Sequence, residues 1–417
     1  MKKLWSFDYV VVDDKAKEFV IAFYLLTLIV VGVLLQTPQE LFRGLINIFT
    51  TPGMLITDYM VVGGVGATLV NGAVVGVIGF ILLKINKIAF NGPPIAAIFT
   101  MVGFGFFGKN IWSILPVILG VFIYSRIKGQ AFKTYIYPAL FGTALAPLVT
   151  QVAYGFGWGV PVSIVVGTLA GIIVPPLASH LLRAHEGYNI YNIGFTAGFV
   201  GLLFTNLFRS YGFNSDIIVI WGTEFNPLMR QIFIPIFLSM VLLGIIFNKG
   251  KVKDYSEILK HPGTLITDFV VLGGFGSTLI NMGLVGLVGS GYIELVSGHY
   301  NGASVGGLLT MVGFAAFGKH IFNIIPVMGG VWLGTVFSIF EPNAPGALLA
   351  ALFGTTLAPL SGQFGPIIGV LAGFVHLSIV SNVGILHGGL NLYNNGFAGG
   401  LVATIFVALI NGFKGDK

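Results

Sequence analysis

The sequence predicts an all-α polytopic membrane protein: two inverted structural repeats of about 5–7 membrane segments each, with broken or re-entrant helices. Three observations predict it. The 417 residues have a mean hydropathy of +0.93 and only 9% charged side chains, too little polar surface for a soluble chain of this length. Apolar runs suited to hydrocarbon recur from end to end, as at 19–36 and 232–247. Finally, the chain repeats itself. A β-barrel would show short alternating segments instead of solid apolar runs.

The repetition covers almost everything. Residues 52–71 (PGMLITDYMVVGGVGATLVN) and 262–281 (PGTLITDFVVLGGFGSTLIN) agree at 13 of 20 positions. NGPPIAAIFTMVGFGFFGKNI (91–111) aligns with NGASVGGLLTMVGFAAFGKHI (301–321). FGTALAPLVTQ (141–151) aligns with FGTTLAPLSGQ (353–363), and HEGYNIYNIGF (185–195) with HGGLNLYNNGF (387–397). The order is kept, so the chain divides into a first repeat, 1–210, and a second, 211–417.

Charge decides their relative orientation. Arg43 alone follows the first span, whereas Lys249, Lys251, Lys253 and Lys260 follow its counterpart. Farther along the bias reverses: Lys84 and Lys87 stand against Glu294, and Arg126, Lys128 and Lys133 against Glu341. Basic loops favour the cytoplasm, so equivalent loops belong on opposite sides. Inversion needs an odd number of crossings per half. The parse gives seven: 19–36, 60–83, 92–107, 111–125, 136–153, 160–182 and 190–207. Gly and Pro interrupt the third and fifth, and re-entrant half-helices there would leave five. Lys2, Lys3, Lys15 and Lys17 place the N-terminus in the cytoplasm; Lys414 and Lys417 do the same for the C-terminus. The N-terminal stretch is polar for too long to be a secretory signal, so 19–36 is expected to be retained.

The absence of cysteine excludes disulfides and thiol chemistry. No cofactor or metal site is expected. The basic residues are scattered over loops, so the +6 net charge does not point to nucleic acid.

Polar residues repeated in both halves are the candidates for a site. Thr57–Asp58 and Thr267–Asp268 sit in apolar surroundings, where a carboxylate should face the bundle, bind a cation or carry a proton. The plainer reading makes each Asp a helix cap. Asn71 and Asn281 are amides that need partners if buried. Asn91 and Asn301 open Asn-Gly breaks whose half-helices would aim their N-termini at a solute; a surface turn is the alternative. Lys109 and Lys319 either snorkel to an interface or attract an anion at a pathway mouth. Gln151 and Gln363 follow prolines in the fifth segment. The last motif carries His185, Asn189 and Asn192 with His387, Asn391 and Asn394. Its Asn-x-x-Asn spacing would put two amides on one helical face, or else mark an interfacial helix start.

At these blocks the chain resembles an uncharacterised family of duplicated, multi-spanning bacterial membrane proteins, a domain of unknown function. The resemblance implies a bacterial inner-membrane location and no known activity. Seven broken spans per half also look like nucleobase and sulfate permeases; five plus re-entrant helices look like urea channels.

The expected function is transport of a small polar or anionic solute, by a secondary transporter coupled to H⁺ or Na⁺ with its site between the repeats. An uncoupled channel of urea-channel type is the alternative. A membrane-embedded enzyme or complex subunit is a third reading, but the informative residues come in matched pairs and no HExxH, Gly-x-Ser-x-Gly or Walker pattern is present. The partners expected are the solute or ion and the lipid bilayer. Small-residue faces also suit a homo-oligomer.

Overall fold

The computed structural model describes residues 10–215 and 218–414. Lys2, Lys3, Lys417 and the side chain of Lys414 lie outside the described residues.

The first repeat opens with α1 (Asp14–Leu35), which starts on the Asp13 cap. Next comes α2 (Pro38–Thr50), closed by a Thr37–Glu40 capping box with Pro38 in its first turn. Helix α2 buries Gly44 and Ile48 but leaves Phe42 and Ile46 exposed, as suits a helix lying in the membrane interface. The chain then re-enters through the short strand β1 (Ile56–Thr57), α3 (Tyr59–Gly63) and α4 (Val65–Ile85). Gly64, at φ +84°, makes the break between α3 and α4, a conformation that favours glycine. Helix α5 (Gly92–Phe104), α6 (Leu115–Ile127), a broken span of α7 (Ile136–Gly142) and α8 (Ala146–Thr150), α9 (Val160–Ala184) and α10 (Asn192–Ser210) complete the half.

After the connecting strand β2 (Val219–Ile220), the second repeat follows the same order. It comprises α11 (Asn226–Phe247), α12 (Tyr255–Ile258), α13 (Phe269–Leu295), α14 (Gly302–Phe314), α15 (Ile321–Val336), α16 (Pro345–Gly354), α17 (Ala358–Phe364), α18 (Pro366–Val383) and α19 (Asn394–Lys414). Gly274, at φ +78°, breaks α13 where Gly64 breaks its counterpart.

The two open parses now resolve to five crossings per half. Lys84 of α4 pairs with Glu18 of α1 at 2.8 Å, so those ends share one face, called here the first face. At the second face, Gln36 accepts the Ala67 N–H at 2.6 Å. Helix α6 ends where α4 ends, since Phe122 and Arg126 stand around one surface hollow with Leu82 and Ile85. Helix α5 starts seven residues after α4 stops and runs back along it until Gly105 meets Gly72. Helices α5 and α6 therefore form a re-entrant hairpin. Its arms of 13 residues reach about 20 Å, short of a hydrocarbon core of about 30 Å. Among the described residues, ten helical segments are long and apolar enough to span, five in each half. An odd number inverts the second repeat.

Inversion gathers the basic loops of both halves. Lys84, Lys87, Arg126, Lys128 and Lys133 end on the first face with Lys249, Lys251, Lys253 and Lys260, beside Lys15 and Lys17. Helices α1, α9, α11 and α18 are mainly lipid-facing, while α4, α13 and the two broken spans are mostly buried. The half-helices α5 and α14 cross at the centre. A Cβ on Gly103 would stand 2.6 Å from the Gly306 carbonyl oxygen, so only glycine allows that approach.

Candidate functional site

Each aspartate clasps the opposite repeat. Asp58 caps α3 through the Met60 N–H (2.9 Å), and the same Oδ1 accepts the Gly302 N–H at the start of α14 (3.1 Å). Its Oδ2 takes the Gly222 N–H (3.0 Å). Asp268 caps α13 through Val270 and Val271, and its Oδ1 also accepts the Gly92 N–H at the start of α5 (3.0 Å). Both cap a helix of their own repeat and a half-helix of the other, placing negative charge at two positive helix ends. The Thr neighbours serve local turns: Thr57 accepts the Met54 N–H, and Thr267 donates to the Thr264 carbonyl.

The Asn-Gly breaks do open half-helices. Asn301 caps α14 through Ala303 and Ser304 and donates to the Gly222 carbonyl at 3.0 Å. Asn91 precedes α5 without a side-chain cap bond.

Beyond each half-helix, one amide holds the turn. Asn71 Nδ2 donates to the carbonyls of Gly105 (2.7 Å) and Lys109 (2.9 Å). Asn281 Nδ2 does the same to Ala315 and Lys319, both at 2.7 Å. These turns deliver two lysines to the interior. Lys109 and Lys319 are both 0% exposed, so neither snorkels; the half-helices carry them inward instead of to an interface. Lys109 Nζ donates to Thr143 (2.7 Å) and lies 5.1 Å from the centre of the Phe104 ring. Lys319 Nζ donates to Thr355 (2.7 Å) and to the Tyr191 hydroxyl, 4.4 Å above that tyrosine's ring centre. Among the described residues, neither lysine pairs with a carboxylate.

Between them lies a run of rings related by the pseudo-twofold: Phe104 against Tyr393 (4.5 Å), Tyr393 against Tyr191 (5.2 Å), and Tyr191 against Phe314 (4.6 Å). The proline breaks help to position the tyrosines. The Thr356 carbonyl in the second broken span accepts the Ile190 N–H, and the Ala144 carbonyl in the first accepts the Leu392 N–H.

One expectation fails on geometry. Asn189 and Asn391 lie in the irregular stretches before α10 and α19, so they do not share a helical face with Asn192 and Asn394, which begin those helices. Each of these asparagines instead accepts the N–H of the tyrosine two residues on, Tyr191 or Tyr393, and that turn overrides the helical spacing. Asn192 bonds His185 (3.0 Å), and Asn394 bonds His387 (2.9 Å) and the Val380 carbonyl (3.1 Å). Asn189 bonds Thr356 and the Gly396 carbonyl, joining the repeats. Gln151 and Gln363 end their broken spans on opposite faces; Gln151 is buried and Gln363 exposed, so they do not meet. Reasoning from sequence passed over Thr143 and Thr355, although the duplicated Phe-Gly-Thr strings at 141–143 and 353–355 marked them.

A vestibule of about 530 Å³ enters from the first face between α6, α7, α9 and the start of α10, and ends on Tyr191, Tyr393 and Phe314. Leu265 and Ile266, just before Asp268, form part of its wall. On the second face the equivalent ground is covered. β2 pairs with β1 in parallel, Ile56 with Val219, and Gly222 bridges Asp58 and Asn301.

The family model described as protein of unknown function (DUF1576) matches residues 37–210 and again 247–412. The chain belongs to this DUF1576 family. No curated protein and no solved structure matches the chain. The two DUF1576 matches begin at the end of the first long helix of each half or just beyond it, so the family unit holds the half-helix, the lysine and the tyrosine motif.

Proposed function

We propose that this DUF1576 protein moves a small polar or anionic solute across the membrane by alternating access, with its site on the pseudo-twofold between the inverted repeats. One observation carries the reading. A vestibule open on the first face ends at the central tyrosine pair, while the symmetry-equivalent ground on the second face lies under Val219–Gly222. A carrier of inverted repeats is built to exchange two such arrangements. A channel needs one continuous path, and the stacked rings interrupt it here.

In this reading Lys319 and its twin Lys109 attract the solute. The Lys319–Tyr191 bond marks the present state, and a Lys109–Tyr393 bond would mark the other. Coupling to H⁺ or Na⁺ falls to Asp268 before Asp58, because Asp268 follows the vestibule wall residues Leu265 and Ile266 in the chain and is only half-buried, whereas Asp58 is sealed under Gly222. The basic first face is assigned to the cytoplasm of a bacterial inner membrane.

The test is thiol accessibility, which the cysteine-free chain makes clean. Ile266→Cys should react with a membrane-impermeant reagent from the first face, while Ile56→Cys stays protected from the second. Simultaneous reaction of both in every molecule would indicate an open channel and refute alternating access.

A further inference from the structure

The vestibule's chemistry narrows the class of solute. Five tyrosines line it (Tyr124, Tyr135, Tyr137, Tyr191 and Tyr393), together with phenylalanines and prolines, and no lining residue carries a full charge. Such walls favour a flat apolar body that can lie against rings. One side chain behind the floor stands Lys319, fully buried, with only hydroxyl partners in Thr355 and Tyr191. A buried ammonium held by neutral groups alone lacks a counter-charge. Asp268, two residues beyond the wall residue Ile266, has its Oδ1 already committed to three backbone N–H groups.

Resting on the transport reading above, we propose that the solute is a small aromatic monocarboxylate. Its ring lies among the vestibule tyrosines, and its carboxylate replaces the Tyr191 hydroxyl as the partner of Lys319. That displacement frees Tyr191 from its latch, so binding itself favours rearrangement of the ring stack. A phosphate or sulfate ester fits less well. Dianions are commonly held by arginine forks, and the described lining offers no arginine. A cation finds no anionic wall. The twin site at Lys109 and Thr143 would take the same carboxylate from the second face.

The full-length protein in lipid nanodiscs is titrated calorimetrically with benzoate, benzyl alcohol, benzylamine and acetate, and labelled benzoate exchange is followed in proteoliposomes. Benzoate should bind at least tenfold more tightly than the other three, and Lys319→Met should abolish that binding. Lys319→Arg keeps the charge and should retain weakened binding, which serves if the Met variant does not fold. No benzoate binding, equal binding of benzyl alcohol or benzylamine, or benzoate binding unchanged in folded Lys319→Met overturns the proposal. The two readings separate cleanly. Lysine-dependent benzoate binding without exchange supports the carboxylate site and counts against transport. Exchange of a different class of solute leaves transport standing and overturns the carboxylate.

Discussion

Asp58 accepts a 3.1 Å hydrogen bond from the backbone N–H of Gly302, a residue 244 positions away in the other repeat. The 3.0 Å bond from Gly92 to Asp268 mirrors it. Acidic residues in an apolar setting thus do structural work first. Each is a clasp that ties a re-entrant half-helix to the facing half of the molecule.

Removing the clasps should loosen the assembly unequally. Asp58→Asn turns an acceptor toward three N–H donors into a weaker, uncharged one, and should lower stability by about 1–3 kcal/mol, in the range of charged hydrogen bonds. Asp268→Asn, half-buried and held through one oxygen, should cost less. Thermal unfolding in nanodiscs compares them. An Asp58→Asn protein as stable as the parent would deny the clasp.

The amides that hold the lysine turns should be harder to replace. Asn71→Ala leaves the buried carbonyls of Gly105 and Lys109 without their donor, and should cost about 2–4 kcal/mol. Asn281→Ala should cost at least as much, because the Tyr255 hydroxyl also bonds its Oδ1 at 3.3 Å. Unfolding midpoints, or expression yield where folding fails, would show the loss; midpoints unchanged in both variants would contradict it.

The lysines should behave in the opposite sense. Replacing a buried ammonium that has no carboxylate partner removes an unpaired charge, so Lys109→Met and Lys319→Met should leave stability unchanged or raise it. Solute uptake by the same proteins should fall at least tenfold. Large destabilisation with uptake retained would make the lysines part of the scaffold instead.

Much of this architecture is written in the repeats. Two copies of PG-x-LITD and of NG…TMVGF…FGK give the duplication, and the loop lysines give its inversion, because charge asymmetry acts locally at each span end. The count of crossings was not legible. Helices α5 and α6 are as apolar as true spans, and only the contacts of their ends show that both return to one face. The snorkelling reading of the lysines fails for the same reason: a Lys ending an apolar run looks interfacial unless the run is known to stop halfway. Asn189 and Asn192 have helical spacing, yet the turn that Asn189 makes onto the Tyr191 N–H before α10 separates their directions. The contacts of Asp58 with Gly222 and Gly302 join residues far apart in sequence, and no local pattern announces them.

The most direct test of the central claim is to lock the second face and watch transport. Ile56→Cys with Val219→Cys joins paired positions of β1 and β2, and labelled solute exchange is measured in proteoliposomes before and after oxidation. Alternating access predicts that the disulfide stops exchange while leaving binding from the first face intact, and that reduction restores it. Exchange that continues unchanged through the fully formed disulfide would show that the second face never has to open there, and would contradict the account.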